Sequence, residues 1–217
     1  GLSDISEMYS KILIANRGAI ARRIVRACHD LSIRSAVVFT EPDRRAPYLS
    51  EAGEAHLIAG RSPVDSYMST EQLLKVAKEV GADAIHPGYG FLSENADFAK
   101  QVRSAGMHFI GPSPDWIERM ADKVEARKLM KSAGVPTFPG SGQITNEKEA
   151  REFVAENGLP VIVKPSGGGG GIGMKVVFDE SELGEAISNA SDMAEKSFSN
   201  GSVYLERWMA DSRHIEF

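Results

Sequence analysis

Residues 11–40, KILIANRGAIARRIVRACHDLSIRSAVVFT, read as a strand, a helix and a second strand in close succession. Lys11-Ile-Leu-Ile-Ala15 is an apolar run of strand length. Gly18 to Leu31 then carries Ile20, Ile24, Val25, Cys28 and Leu31, the spacing of a helix with one buried face. Ala36-Val-Val-Phe39, within Arg34 to Thr40, is the second strand. The alternation continues with a strand at Ala55–Ile58 and a helix over Thr70–Val80 closed by Gly81. A fourth strand is expected at Asp83–His86, a helix over Glu94–Ala105 with Ser93 as its N-cap and Gly106 at its end, and a fifth strand at His108–Ile110. Strands separated by helices of this length call for a parallel sheet covered on both faces, a doubly wound α/β domain.

Ser113-Pro114-Asp115 has the form of an N-cap, a first-turn proline and a first-turn acid, and helical patterns run from there to Ser132. Gly134-Val-Pro136 ends them. Pro136 to Thr145 holds two prolines and two glycines, the composition of a linker, so a domain boundary is expected there. The pattern then changes. Glu147–Asn157 is helical, Pro160–Lys164 a strand, Met174–Phe178 a strand, Glu180–Phe198 a helix, and Val203–Glu206 and Arg213–Phe217 further strands. His214-Ile-Glu-Phe217 closes the sequence in β pattern without a turn or cap, which leads us to expect a piece of a longer protein.

The formal net charge of −5 and pI near 5.6 argue against a general nucleic-acid binder, which needs a surplus of Lys and Arg. No apolar run approaches the roughly 20 residues a bilayer-spanning helix requires. Residues 1–10 are polar, with no apolar signal segment. The single cysteine, Cys28, excludes an internal disulfide framework and fits a reducing compartment. A soluble intracellular protein is expected.

Six of the seven residues from Gly167 to Gly173 are glycine, flanked by two β patterns. Glycine is costly in regular structure, so such a run marks backbone that must bend freely or approach something closely. Gly168, Gly170 and Gly173 match G-x-G-x-x-G literally, but the dinucleotide fingerprint needs a helix after the glycines, and Met174-Lys-Val-Val-Phe178 is a strand. The Walker A pattern fails because Met174 follows Gly173. What remains is a flexible turn, or a strand–loop–strand flap whose bare N–H groups close over phosphates while Lys164 supplies positive charge.

Val163-Lys164-Pro-Ser-Gly-Gly-Gly-Gly-Gly-Ile-Gly-Met174 resembles the phosphate flap of ATP-grasp enzymes. His86-Pro-Gly-Tyr-Gly-Phe-Leu-Ser-Glu-Asn95, with Ile14-Ala-Asn-Arg-Gly18 before it, is similar to the biotin carboxylase branch of that superfamily. Phe109-Ile-Gly-Pro112, Asp122-Lys123, Ala133-Gly-Val-Pro136 and Arg213-His-Ile-Glu216 match in order along the chain. The resemblance implies a Rossmann-like N-terminal domain with connecting helices over residues 1–135 and a small α+β ATP-grasp lid over 136–205. The start of the C-terminal ATP-grasp domain would occupy 206–217, so that the chain covers roughly the first half of a biotin carboxylase.

The same resemblance implies site roles. Lys164, by itself an ordinary strand-end lysine, would sit between adenine and the α-phosphate. Gly168, Gly169, Gly170 and Gly171 would cover the phosphates, and Lys123, otherwise an exposed lysine pairing with Asp122 or Glu125, would reach them. Val203 to Met209 would meet adenine through Glu206, Arg207, Trp208 and Met209, with Met174 packing on the ring. His214 would contact the nucleotide, while Glu216 is left open between a metal ligand and a charge partner of His214. Tyr89, projected between Gly88 and Gly90, would face the biotin ureido ring, with His86 and Glu94 as scaffold. Arg26 and Asp30 lie one turn apart and read either as a surface pair or as part of a homodimer contact. Two positions depart from the family pattern: Ile172 stands where many relatives carry Arg or Lys, and Ala19 where they usually have Glu.

The implied reaction is ATP-dependent activation of bicarbonate to carboxyphosphate and carboxylation of biotin on a carrier protein or domain, with Mg²⁺ or Mn²⁺ bridging the phosphates. Carboxyltransferase and biotin carboxyl carrier partners, a homodimer and a cytoplasmic location (mitochondrial matrix in a eukaryote) follow from it. No membrane or nucleic-acid partner is expected. No complete catalytic or metal-ligand set falls within the sequence, so the 217-residue chain alone is expected to be inactive. The competing readings are another ATP-grasp ligase of the carbamoyl-phosphate synthase or purine carboxylase type, and a non-catalytic nucleotide-binding or dimerisation module.

Overall fold

The structure, a computed structural model, describes residues 9–167, 171–198, 200–213 and 215. The chain divides into two compact units, Gly1–Glu118 and Arg119–Phe217.

In the first unit, strands β1 (Lys11–Ile14), β2 (Arg34–Phe39), β3 (Glu54–Leu57), β4 (Ala84–His86) and β5 (His108–Phe109) form one sheet in the order β3-β2-β1-β4-β5. Every pairing is parallel, as the sequence pattern predicts. The helices are α1 (Gly18–Asp30), α2 (Tyr48–Glu51), α3 (Thr70–Glu79), α4 (Ala96–Ser104) and α5 (Pro114–Ala121), the last running across the division between the units. Because side chains alternate across a strand, each central strand supplies two cores. Ile12, Ile14, Val37 and Ala84 meet Ile24, Val25 and Cys28 of α1 and Tyr48 of α2. Leu13, Ala36, Val38 and Ile85 meet Leu73 and Val76 of α3 and Phe98 and Val102 of α4. Burial of a side chain such as Leu13 or Ile14 contributes about 1.5–3 kcal/mol.

One expected cap is corrected. The helix after β4 begins at Ala96, and its N-cap is Asn95, whose side chain accepts from the Phe98 N–H at 2.7 Å. Ser93 instead lies in a turn, its N–H bonded to the Gly90 carbonyl, so the Glu94 end of the expected helix is turn as well.

The second unit contains α6 (Lys123–Ser132), β6 (Gly140–Ile144), α7 (Glu147–Asn157), β7 (Val161–Pro165), β8 (Lys175–Val177), α8 (Leu183–Phe198) and β9 (Val203–Arg207). Its sheet is antiparallel, in the order β6-β9-β7-β8. Val161, Val163, Val203 and Leu205 face Ala150 and Val154 of α7 and Leu183, Ala186 and Ala190 of α8. The intervening residues Ile162, Lys164, Tyr204 and Glu206 therefore share the opposite face.

Pro136 to Thr145 is not only a linker. It contains β6, an edge strand with a register irregularity between Gly140 and Gln143, where glycine is tolerated because only one side is paired. The contacts also divide the chain at Glu118/Arg119 rather than near residue 135, because α6 joins the second unit: Asp122 caps it, and the Lys123 N–H donates to the Ser166 carbonyl at 2.9 Å. Of the strand expected at Arg213–Phe217, Arg213 and Ile215 lie in no strand, and residues 214, 216 and 217 lie outside the described residues.

Candidate functional site

In the first unit the sheet order reverses between β1 and β4, and the loops after these two strands carry the Ile14–Gly18 and His86–Asn95 motifs. Ligand crevices of open α/β sheets form at such a reversal, at the carboxyl ends of the strands. Asn16, fully buried, joins the motifs: its Nδ2 donates to the Pro87 carbonyl at 2.7 Å and to the Tyr89 carbonyl at 3.0 Å. Gly88 has φ +67°, and a Cβ there would lie 2.6 Å from both Asn16 Nδ2 and Ile20 Cγ2. The glycine is thus required twice, by backbone conformation and by space. His86 Nδ1 accepts from the Gly88 N–H at 3.0 Å, and burial holds its pKa below the usual histidine value, so the ring is a neutral scaffold.

Further along the same loop, Phe91 adopts φ +43° and stacks on Tyr67 with ring centroids 5.4 Å apart. The Tyr67 hydroxyl donates to Asp43 at 2.5 Å and accepts from the Thr40 N–H. Asp43 also takes both Nε and Nη2 of Arg17, which holds its carboxyl below the ordinary range. Tyr89, by contrast, is 73% exposed at the tip of this braced loop. The expected Arg26–Asp30 pair does not form: Arg26 and Arg22 both turn to Glu51, and Asp30 has His29 beside it at 3.9 Å.

In the second unit, a cavity of about 370 Å³ is lined by Phe138, Ile162, Lys164, Met174, Glu206 and the Arg207–Met209 stretch, with Ser212 and Arg213 at its side. It gathers six of the expected site residues: Lys164, Met174, Glu206, Arg207, Trp208 and Met209. The β7–β8 hairpin brings them together, since its antiparallel register sets Val163 opposite Lys175 while β9 sets Ile162 opposite Glu206. Lys164 Nζ lies 2.8 Å from Glu206 Oε2, and both are mostly buried. The lining joins apolar Phe138, Ile162, Met174, Trp208 and Met209 to charged Lys164, Glu206, Arg207 and Arg213, a make-up that suits an aromatic, anionic small molecule.

The backbone of the β9 end is partly committed. The Arg207 N–H donates to the Pro139 carbonyl and the Trp208 N–H to the Pro160 carbonyl, so these two donors are spent within the protein. The Arg207 guanidinium holds the Asn157 and Leu159 carbonyls at the end of α7. Lys123 is not among the cavity-lining residues; its backbone N–H meets the flap at Ser166, just before the glycine run. Asp122 caps α6, and Glu125 binds Lys128. Gly171 has φ +75°. Gly168, Gly169, Gly170, His214 and Glu216 lie outside the described residues. Among the described residues no group of three His, Cys, Asp or Glu side chains clusters as a metal site.

Sequence reasoning missed Phe138, Ile162, Arg213 as a cavity residue, and Arg127. The last is a helix residue whose Nη1 reaches Glu206 Oε1 at 2.5 Å and whose Nη2 bonds the Phe138 carbonyl. No local pattern marks it, because its partner is 79 positions away.

The second unit falls into the class of ATP-binding domains: residues 122–217 match the family described as carbamoyl-phosphate synthase L chain, ATP binding domain. Residues 8–117 match biotin carboxylase, N-terminal domain, and the chain belongs to the biotin carboxylase family. It is 47% identical over 211 residues to the biotin carboxylase of Halalkalibacterium halodurans, covering 96% of this chain and 46% of that protein. Among solved structures it resembles the biotin carboxylase domain dimer of Hydrogenobacter thermophilus 2-oxoglutarate carboxylase, in complex with MgADP, ADP and bicarbonate. There the identity is 43% and the TM-score 0.87, over 94% of this chain and 45% of that one. A biotin carboxylase–β-γ-ATP complex from Campylobacter jejuni gives 38% identity and a TM-score of 0.90 over 94% and 46%. The chain thus spans under half the length of these relatives.

Proposed function

We propose that this chain provides the adenine-nucleotide pocket and the biotin-facing loop of a biotin carboxylase, a ligase that uses ATP and bicarbonate to carboxylate biotin on a carrier protein. The observation that carries the reading is the cavity of the second unit, where Lys164, Glu206, Trp208, Met209 and Met174 converge. In this reading Met174, Ile162 and Trp208 bound an aromatic base, and Glu206 with the backbone of Arg207 and Met209 meets its polar edge. Lys164 presents its ammonium to the α-phosphate side. The bare backbone of Gly168 to Gly171 and the Lys123 side chain complete the phosphate contacts in this reading, and His214 borders the nucleotide. A divalent cation, Mg²⁺ or Mn²⁺, would supply charge neutralisation at the phosphates.

Tyr89 is the biotin-side residue. Its exposure at the tip of a loop braced by Asn16 and by the Phe91–Tyr67 stack suits a ring that meets a mobile cofactor. The dimeric carboxylase domain of the Hydrogenobacter relative supports a homodimer, with the exposed face of α1 around Arg26 and Asp30 as its site. The partners are a biotin carboxyl carrier protein or domain and a carboxyltransferase. The compartment is the cytoplasm, or the mitochondrial matrix in a eukaryote, and among the described residues no helix is long and apolar enough to cross a membrane.

Isothermal titration of the chain with MgATP tests the nucleotide reading. We expect saturable binding that Lys164→Met weakens about tenfold, the effect of losing one charge-assisted contact. Absence of binding at millimolar MgATP would leave a scaffold module instead.

A further inference from the structure

We propose that Arg127 is a positioning residue that keeps Lys164 available to an anion by taking half of the Glu206 carboxylate. The inference rests on the nucleotide reading of the same cavity. Glu206 is the meeting point of two cations: Arg127 Nη1 stands 2.5 Å from Oε1 and Lys164 Nζ 2.8 Å from Oε2. All three side chains are largely withdrawn from water, so their charges act on one another with little screening. With both cations present the group carries one net positive charge beside the cavity. Without Arg127, Glu206 and Lys164 form a neutral pair, and the lysine is spent on its own neighbour.

The guanidinium is held in place for this task. It bonds the Phe138 carbonyl through Nη2 and passes over Gly140, the residue of β6 that stands opposite Glu206 in the sheet. A Cβ on Gly140 would lie 2.6 Å from Arg127 Cζ and closer still to Nη2. Gly140 does not have positive φ, so its missing side chain serves space rather than backbone conformation. Alanine at 140 would therefore push the guanidinium off Glu206 while leaving every charge in the sequence intact. Phe138, whose carbonyl anchors Arg127, also lines the cavity, which joins the clamp to the ligand side.

The test is calorimetric titration of the 217-residue chain with MgATP, adenosine and tripolyphosphate. Relative to the unsubstituted chain, Arg127→Met should weaken ATP about tenfold while changing adenosine by less than about twofold, one lost unit of charge being felt by the phosphates alone. Gly140→Ala should move the ATP-to-adenosine ratio in the same direction. Glu206→Gln should raise that ratio, and adding it to Arg127→Met should restore what the latter lost. A purely structural Arg127 would weaken both ligands alike, and that result, or an unchanged ratio, overturns the proposal. Should Arg127→Met fail to fold by circular dichroism, the opposite shifts expected of Gly140→Ala and Glu206→Gln decide the matter. If the unsubstituted chain binds tripolyphosphate but not ATP, the nucleotide reading falls and the same variants still test the charge clamp against tripolyphosphate. If it binds neither, both fall.

Discussion

In the first unit the Asp43 carboxylate takes two nitrogens of Arg17 and the hydroxyl of Tyr67, and the buried Lys11 ammonium is divided between Glu54 and the Val80 carbonyl. In the second, the Glu206 carboxylate meets two cations and a cavity opens beside them. These first-unit charges are matched internally, and the Arg17–Asp43–Tyr67 group stiffens the loops that follow β1 and β4. The second unit keeps a surplus of positive charge at its open sheet face. A frame and a binding pocket are thus distinguished by how completely their ionic groups are matched, more than by how many they hold.

The largest effect that would break this contrast lies at Asn16. Asn16→Ala strands the buried Pro87 and Tyr89 carbonyls, and chemical denaturation should show a loss of about 3 kcal/mol, the cost of two such groups. Little change would mean that the two motifs do not brace each other. Gly88→Ala comes next, at about 2 kcal/mol, from backbone strain and the clash with Asn16 and Ile20.

Acid sharpens the comparison, because its groups are in the frame. His86 is held below its ordinary value of 6.5 by burial, so the unfolded chain binds the proton more readily. Its contribution is whole above that pH and is lost as pH falls through the folded value. Asp43, lowered chiefly by its hydrogen bonds from Arg17, acts in the same sense below its ordinary 3.8. Urea midpoints for the first unit should decline as pH drops below 6.5 and again below 3.8. Asp43→Asn should lessen the second decline, which Asp83 and Glu54, also held below their ordinary values by hydrogen bonds, share. An undiminished second decline in that variant would exclude Asp43 as a source of it. The smallest effect belongs to Arg26→Ala, whose partner Glu51 keeps Arg22: less than about 0.5 kcal/mol is expected in the same assay.

Much of the frame was legible in the sequence. Parallel strands buried on both faces are continuous apolar runs, and helices between them announce themselves by period. The order of the strands was not, since register depends on partners far apart in the chain. The second unit yielded its hairpin and long helices but hid β6, because an edge strand rich in glycine has the composition of a linker. The cavity was half legible: Lys164, Met174 and Glu206 to Met209 follow from motif resemblance, and the alternation along β7 and β9 explains why Lys164 and Glu206 meet. Arg127 and Phe138 were invisible, since nothing near them in sequence signals Glu206. Asn95 was passed over for Ser93 because both can cap, and the turn after β4 runs two residues longer than a helical pattern suggests.

The central claim is that the second unit, and not the first, takes the nucleotide. Photoaffinity labelling of the chain with 8-azido-ATP, followed by peptide mapping, tests it directly. The account predicts label on the peptides carrying Trp208 and Met209, displaced by unlabelled ATP. Label concentrated between residues 9 and 118, or label that ATP does not displace, would contradict it.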